Sequence, residues 1–284
     1  MSTQIIPASA YPQETLRSFL NSAPLSFSNL DWLSAQERLE GQFCYALSDE
    51  SQIIALMSCE PENKDAAWLR FFVSESDGNH AQYFRSLLDQ ALSELQKAGI
   101  TALYTLSFKS WQEQLFTNSA FLPFTRIITL ILPTTNNIRI EPLSGVEMRL
   151  MTAEDLPELE TVDHAAFSSP WQLNARALQA AFAACSYNTV ALMDHRIVAY
   201  QMTAANFYTS HLARLAVHPS AQKKGLGFRL TLDAIQETAA RGGTEMTVNT
   251  QTNNAESLRL YYQLGFSQHG KLIPVFQRAV QDFQ

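Results

Sequence analysis

One order of segments occurs twice in these 284 residues, and it restricts the possible fold more than any other feature. In the second half an apolar, strand-like run from His211 to Val217 leads into a long amphipathic run, Leu226 to Ala240. A strand from Glu245 to Asn249, a short helix from Ala255 to Leu264 and Gly265-Phe266 follow. In the first half the same order reads Ala66 to Val73, Ala81 to Ala98, Thr101 to Leu106, Ser110 to Asn118, then Ala120-Phe121. Self-similarity on this scale marks a duplicated unit, and strands alternating with helices predict a mixed α/β sheet in each copy.

The helices are read from spacing. Phe84, Leu87, Leu88, Ala91, Leu92 and Leu95 recur at three and four, the stripe of a helix that faces a core. Gly99 follows that run as a stop signal, as Gly242 and Gly243 follow the later one. Between the halves, Pro133-Thr134-Thr135-Asn136-Asn137 is turn-rich and weakly apolar, which predicts a linker and two domains, 1–140 and 141–284. The second half opens with a strand, Val146 to Met151, and a helix with Thr152 as N-cap, Asp155 three residues later and Pro157 in the first turns.

Charge and cysteine content exclude several classes. The net charge of −7 argues against a protein that binds nucleic acid, because phosphate neutralisation needs a clustered excess of Lys and Arg. Any anionic ligand must then be held locally, which makes Lys223-Lys224 stand out. Cys44, Cys59 and Cys185 form no C-x-x-C pair and no disulfide framework, so a reducing cytoplasm is the expected home. No run of about 18 apolar residues predicts a membrane span, and Met1 to Pro12 does not read as an export signal. His164, His195 and His218 lack the spacing of metal ligands, and no metal is expected.

The densest chemistry lies at Leu215-Ala216-Val217-His218-Pro219-Ser220-Ala221-Gln222-Lys223-Lys224-Gly225-Leu226-Gly227. Here a strand ends at a Pro-containing turn and a helix opens with two glycines one residue apart. The first N–H groups of a helix have no intrahelical partner, so they can hold phosphate oxygens while the helix dipole favours the negative charge. The dinucleotide fingerprint G-x-G-x-x-G is absent, since Leu230 stands at its third glycine, and no G-K-[ST] follows to make a P-loop.

Gln222-x-x-Gly225-x-Gly227, after a strand ending Leu-Ala-Val-x-Pro, resembles the Q/R-x-x-G-x-G/A acetyl-CoA loop of the GCN5-related N-acetyltransferases, the GNAT superfamily. Asn254 to Phe266 resembles that family's N-x-x-A-x-x-L-Y-x-x-x-G-F segment, and Ala166-Phe167-Ser168-Ser169-Pro170-Trp171 is similar to the members that acetylate ribosomal-protein alanine and other protein N-termini. The resemblance covers residues 146 to 275. It implies two tandem GNAT-like domains that use acetyl-CoA as cosubstrate and transfer its acetyl group directly to a primary amine, of a protein N-terminus or a small molecule.

The same resemblance assigns roles. The backbone of Leu215, Ala216 and Val217 would pair with the pantetheine arm. The N–H groups of Gln222, Lys223, Lys224, Gly225, Leu226 and Gly227, with Phe228 just inside the helix, would hold the diphosphate. Asn254 would hydrogen-bond the cofactor near the thioester, and Tyr261 would protonate the departing thiolate. The family's general-base Glu falls at Asn249, which cannot act as a base, so either a water chain to another group such as Glu160, Asp163 or His211 does that work or the amine arrives largely neutral. Plainer roles stay open: Tyr261 as a core aromatic beside Leu258 and Leu264, Lys223 and Lys224 as solvated charges, Asn249 and Asn254 as caps.

The equivalent junction in the first half, Val73-Ser74-Glu75-Ser76-Asp77-Gly78-Asn79-His80, lacks the second glycine and carries two acids where a diphosphate needs positive potential. Ser110 to Phe121 also lacks the Leu-Tyr pair. The first domain is therefore expected to keep the fold without the cofactor, and to bury a face of the active half, shape the acceptor cleft or mediate homodimerisation. The acceptor pocket is expected at Ser168 to Asn174, with Trp171, and at Phe207 to His211. A rival of another class is an acetyl-CoA-binding sensor or scaffold without catalysis.

Overall fold

The computed structural model describes residues 3–29, 31–50, 52–75, 78–134 and 143–280. The chain divides into two compact units, Met1–Phe124 with Pro274–Gln284, and Thr125–Ile273. The expected boundary at residue 140 and Thr135 to Asn137 of the expected linker lie outside the described residues. Within them the division falls earlier, at Phe124, because the strand that follows pairs with Glu245–Gln251 of the second unit.

Unit 1 runs β1 (Thr3–Pro7), α1 (Gln13–Ser22), β2 (Leu25–Ser28), α2 (Ala35–Arg38), β3 (Cys44–Asp49), β4 (Gln52–Pro61), β5 (Ala66–Ser74), α3 (His80–Lys97), β6 (Ala102–Leu106) and α4 (Ser110–Thr117). β7 (Leu122–Pro133) starts here and passes into unit 2. The strand order is β1-β3-β4-β5-β6, with β2 on β5. β5 is buried along its whole length, as expected of an apolar run in mid-sheet. The predicted α3 stripe is realised: Phe84, Leu87, Leu88, Ala91 and Leu95 are buried in the core, with Leu92 packed against it.

Unit 2 continues with β8 (Glu147–Leu150), α5 (Leu156–Ala166), α6 (Ala175–Ala184), β9 (Tyr187–Met193), β10 (Arg196–Ala205), β11 (Thr209–Val217), α7 (Leu226–Ala240), β12 (Glu245–Gln251), α8 (Ala255–Gln263) and β13 (Ser267–Ala279). Its strands lie in the order β7-β12-β11-β10-β9-β8, and the last residues of β13 pair with β6 of unit 1. The capping box of Thr152 and Asp155 is formed, one turn before α5. Neighbouring residues of β10 show how the layers divide: Ala199 packs with Leu226 and Leu230 of α7, whereas Tyr200 donates to Asp163 of α5. Side chains alternate across a strand, so α7 and α5 cover opposite faces.

The three cysteines are buried free thiols. No helix among the described residues is long and apolar enough to cross a membrane.

Candidate active site

β11 and β12 run parallel and pair only from Thr209 with Glu245 to Leu212 with Val248, although both continue further. On its other edge β11 pairs with β10 in a register that skips Ala213: Thr203 faces Leu212, and Met202 faces Arg214. An extra residue in one strand bends it, and here the bend falls where β11 leaves β12. Beyond it, Arg214–Val217 has no strand partner on the β12 side among the described residues.

A cleft of about 480 Å³ opens along this edge. It is lined by Leu215, Ala216 and Val217 of β11, by Gln222, Lys223 and Gly225 of the following turn, and by Leu226, Gly227 and Phe228 of α7. Asn254, Ser257 and Leu260 close one side, and Ala166 with Phe167 at the end of α5 another. Ten of the eleven cofactor residues predicted from sequence thus meet at one surface; Lys224 is exposed and outside the lining.

The turn is shaped by local bonds. The His218 ring lies 2.8 Å from the Ser220 hydroxyl, and the Gln222 amide donates to the Val217 carbonyl at 3.1 Å. Gly225 caps α7 at φ 81°, a left-handed conformation that glycine adopts without steric cost. Arg229 N–H donates to the Gly225 carbonyl at 2.9 Å, so the N–H groups of Leu226, Gly227 and Phe228 precede the first helical donor. A Cβ on Gly227 would stand 3.4 Å from Leu260 Cδ2, so the bare glycine lets Leu260 of α8 pack closely against α7. Bare amides, a helix dipole and Lys223 suit an anion; the unpaired strand edge suits a ligand with amides of its own.

The predicted catalytic residues do not line this cleft. Tyr261 is buried, with its ring 5.5 Å from that of Phe266, and burial pushes its phenol pKa up. Glu160 is half-buried on α5. His211 lies on β11 beside the last paired residues, with Nδ1 2.9 Å from the Thr247 hydroxyl, and burial lowers its pKa. Asp163 cannot serve as the base. Its carboxylate accepts from Tyr200 Oη at 2.5 Å, from Arg214 Nε at 2.8 Å and Nη2 at 2.5 Å, and from Leu173 N–H. Asn254 caps α8 by accepting from Ser257 N–H at 3.2 Å, the plainer of its two readings, while also lining the cleft.

Two contributions escape a reading of sequence. Arg214 stacks on Phe167, 3.7 Å from the ring centroid, and so ties a cleft residue to Asp163. Thr129 of β7 donates to Asn249 Oδ1 at 2.8 Å, although it precedes the expected linker. The apolar run from Ile127 to Leu132 is the signal that could have placed that strand.

Comparison with known proteins agrees with this geometry. Residues 155–266 match the acetyltransferase (GNAT) family model. A solved tandem GNAT protein from the clavulanic acid biosynthesis pathway superposes with a TM-score of 0.66 at 11% identity, covering 100% of both chains. The chain thus has the fold of a tandem GNAT protein, and its second unit matches the GNAT family model. A GCN5-related N-acetyltransferase from Anabaena variabilis gives a TM-score of 0.69 at 11% identity, over 99% of this chain and 73% of that one. In sequence, the chain is similar to the [ribosomal protein bS18]-alanine N-acetyltransferase of Salmonella typhimurium, 26% identical over 42% of this chain and 79% of that protein. The Escherichia coli K12 protein of the same description is 25% identical over 40% and 76%. The family match and these relatives support acetyltransferase activity.

Proposed function

We propose that unit 2 carries the acetyl group of acetyl-CoA to a primary amine by direct transfer in a ternary complex. The observation that carries this reading is the unpartnered edge of β11 leading straight to the bare amides of α7. The edge from Leu215 to Val217 would hold the pantetheine amides, and the turn from Gln222 to Phe228 the diphosphate. Acetyl-CoA would supply an activated thioester carbonyl where β11 and β12 part.

His211 is the base that the geometry favours. The Thr247 hydroxyl is 3.4 Å from the Ser210 carbonyl and donates to it, which commits its proton. His211 Nδ1 then donates to Thr247 Oγ1, and Nε2 keeps the lone pair. Burial keeps the ring neutral, so Nε2 is able to take a proton from an attacking amine. Tyr261, kept protonated by burial, is the candidate donor to the thiolate. Glu160 on α5 is the remaining candidate base.

The activity named for the bacterial relatives makes an N-terminal amine on a peptide the first acceptor to try. Thiol release from acetyl-CoA against N-terminal peptides and small-molecule amines tests the reading. Binding of acetyl-CoA without turnover on any amine would favour a sensor or scaffold, a reading supported by Asn249, whose amide is held by Thr129 where the resembled family has Glu.

A further inference from the structure

The two units treat equivalent strand edges in opposite ways. In unit 1, β4 occupies one edge of β5 from Ala67 to Ser74, in a register that skips Arg70. The other edge pairs with β6 only from Ala66 with Ala102 to Trp68 with Tyr104, just as β11 pairs briefly with β12 before its bulge. Beyond that point the edge of β11 has no strand partner among the described residues. The edge of β5 does: Phe71 to Ser74 carries β2, antiparallel, from Ser28 to Leu25.

Asn29, next in the chain, fills the point where β5 and β6 separate. Its backbone N–H donates to the Arg70 carbonyl at 2.7 Å. Its side-chain Nδ2 donates to the Leu69 carbonyl on β5 and to the Thr105 hydroxyl on β6 at 3.1 Å, while Oδ1 accepts from Leu106 N–H at 3.3 Å. One amide thus bridges both strands as donor and acceptor.

The segment is anchored on both sides. Phe27 sits in the aromatic core, its ring centroid 6.1 Å from Phe72, 6.1 Å from Trp111 and 5.5 Å from Phe116. Asp31 takes Arg38 Nε and Nη2 at 2.8 Å each and lies 3.6 Å from Arg70 Nε. Burial opposes ionisation of Asp31, yet these guanidinium groups hold its pKa below the usual value.

We infer that Leu25–Asn29 is a built-in occupant of the slot that in unit 2 would take a pantetheine arm, so that unit 1 is closed to acyl-CoA and each chain carries a single thioester site. The inference rests on the reading of unit 2 as that site. Pantetheine would offer amides to a bare strand edge; β2 already offers backbone amides to that edge, and Asn29 adds one at its apex. An incoming thioester would have to peel β2 from β5, break the Asn29 bridge and draw Phe27 out of the core. Among the described residues, no strand of unit 2 covers the equivalent edge in this way.

Calorimetric titration of the full chain with acetyl-CoA, combined with hydrogen-exchange mass spectrometry, tests the inference. The expected result is one site, with exchange slowed at Gln222–Phe228 and unchanged at Leu25–Asn29 and Phe71–Ser74. Two sites, or any acetyl-CoA-dependent change of exchange at Phe71–Ser74, would overturn it. No binding at all, with Phe71–Ser74 protected, would uphold the closure of unit 1 and remove the reading of unit 2, so the two failures are told apart.

Discussion

Arg214 grips Asp163 with two nitrogens, at 2.8 and 2.5 Å, and the carboxylate that receives them is fully buried. The pair joins β11, at its bulge, to α5, and Phe167 stacks on the guanidinium above the cleft. Removing one partner of a buried ion pair leaves an uncompensated charge. Asp163→Ala should therefore cost about 3–5 kcal/mol in chemical denaturation. Loss of activity with stability intact would contradict the structural role assigned here.

Gly225→Glu should abolish acetyl-CoA binding in calorimetry. The substitution places a carboxylate at the cap of α7, where it competes for the amides, and it imposes a side chain at φ 81°. Gly225→Ala separates the two effects. It should lower stability by roughly 1–2 kcal/mol from the left-handed strain alone and leave weak binding, since a Cβ there meets only Leu143 at 3.8 Å.

His211 should set an acid limb in the pH profile of kcat/KM. Its pKa is lowered from 6.5, so the limb should fall below pH 6.5, with activity rising as the ring loses its proton. The same shift acts on stability. Below about pH 6.5 the unfolded chain binds a proton that the folded chain refuses, so this contribution is complete above that pH and is lost as the pH drops toward the folded value. His211→Gln should flatten both dependences and lower kcat by about 10²- to 10⁴-fold. A wild-type limb that persists in the variant would assign the base elsewhere, with Glu160 next.

Tyr261→Phe preserves the ring that packs on Phe266 and removes only the hydroxyl. Turnover should drop while calorimetric affinity for acetyl-CoA stays within about twofold of wild type, the pattern of an interaction made in the transition state. Equal turnover in both proteins would leave Tyr261 as a core aromatic beside Leu258 and Leu264.

Local physics made much of this protein legible from its residues. The α3 stripe, the Thr152 and Asp155 capping box and the Gly-opened start of α7 each depend on neighbours a few positions away, and each formed where expected. The cofactor loop was readable for the same reason, because strand end, turn, glycines and helix start are contiguous. The general base was not, since Asp163 looked available until its partners Tyr200 and Arg214, 37 and 51 residues away, were brought to it.

The sequence by itself determined that two mixed α/β units exist, where their helices run and which turn presents bare amides. Only the tertiary structure decided which strand lies beside which. β7 completes unit 2, the end of β13 completes unit 1, and β2 closes an edge in unit 1 whose counterpart in unit 2 has no strand partner among the described residues. Strand pairing is a choice among distant segments with the same period, and an alternating apolar run carries no record of its partner.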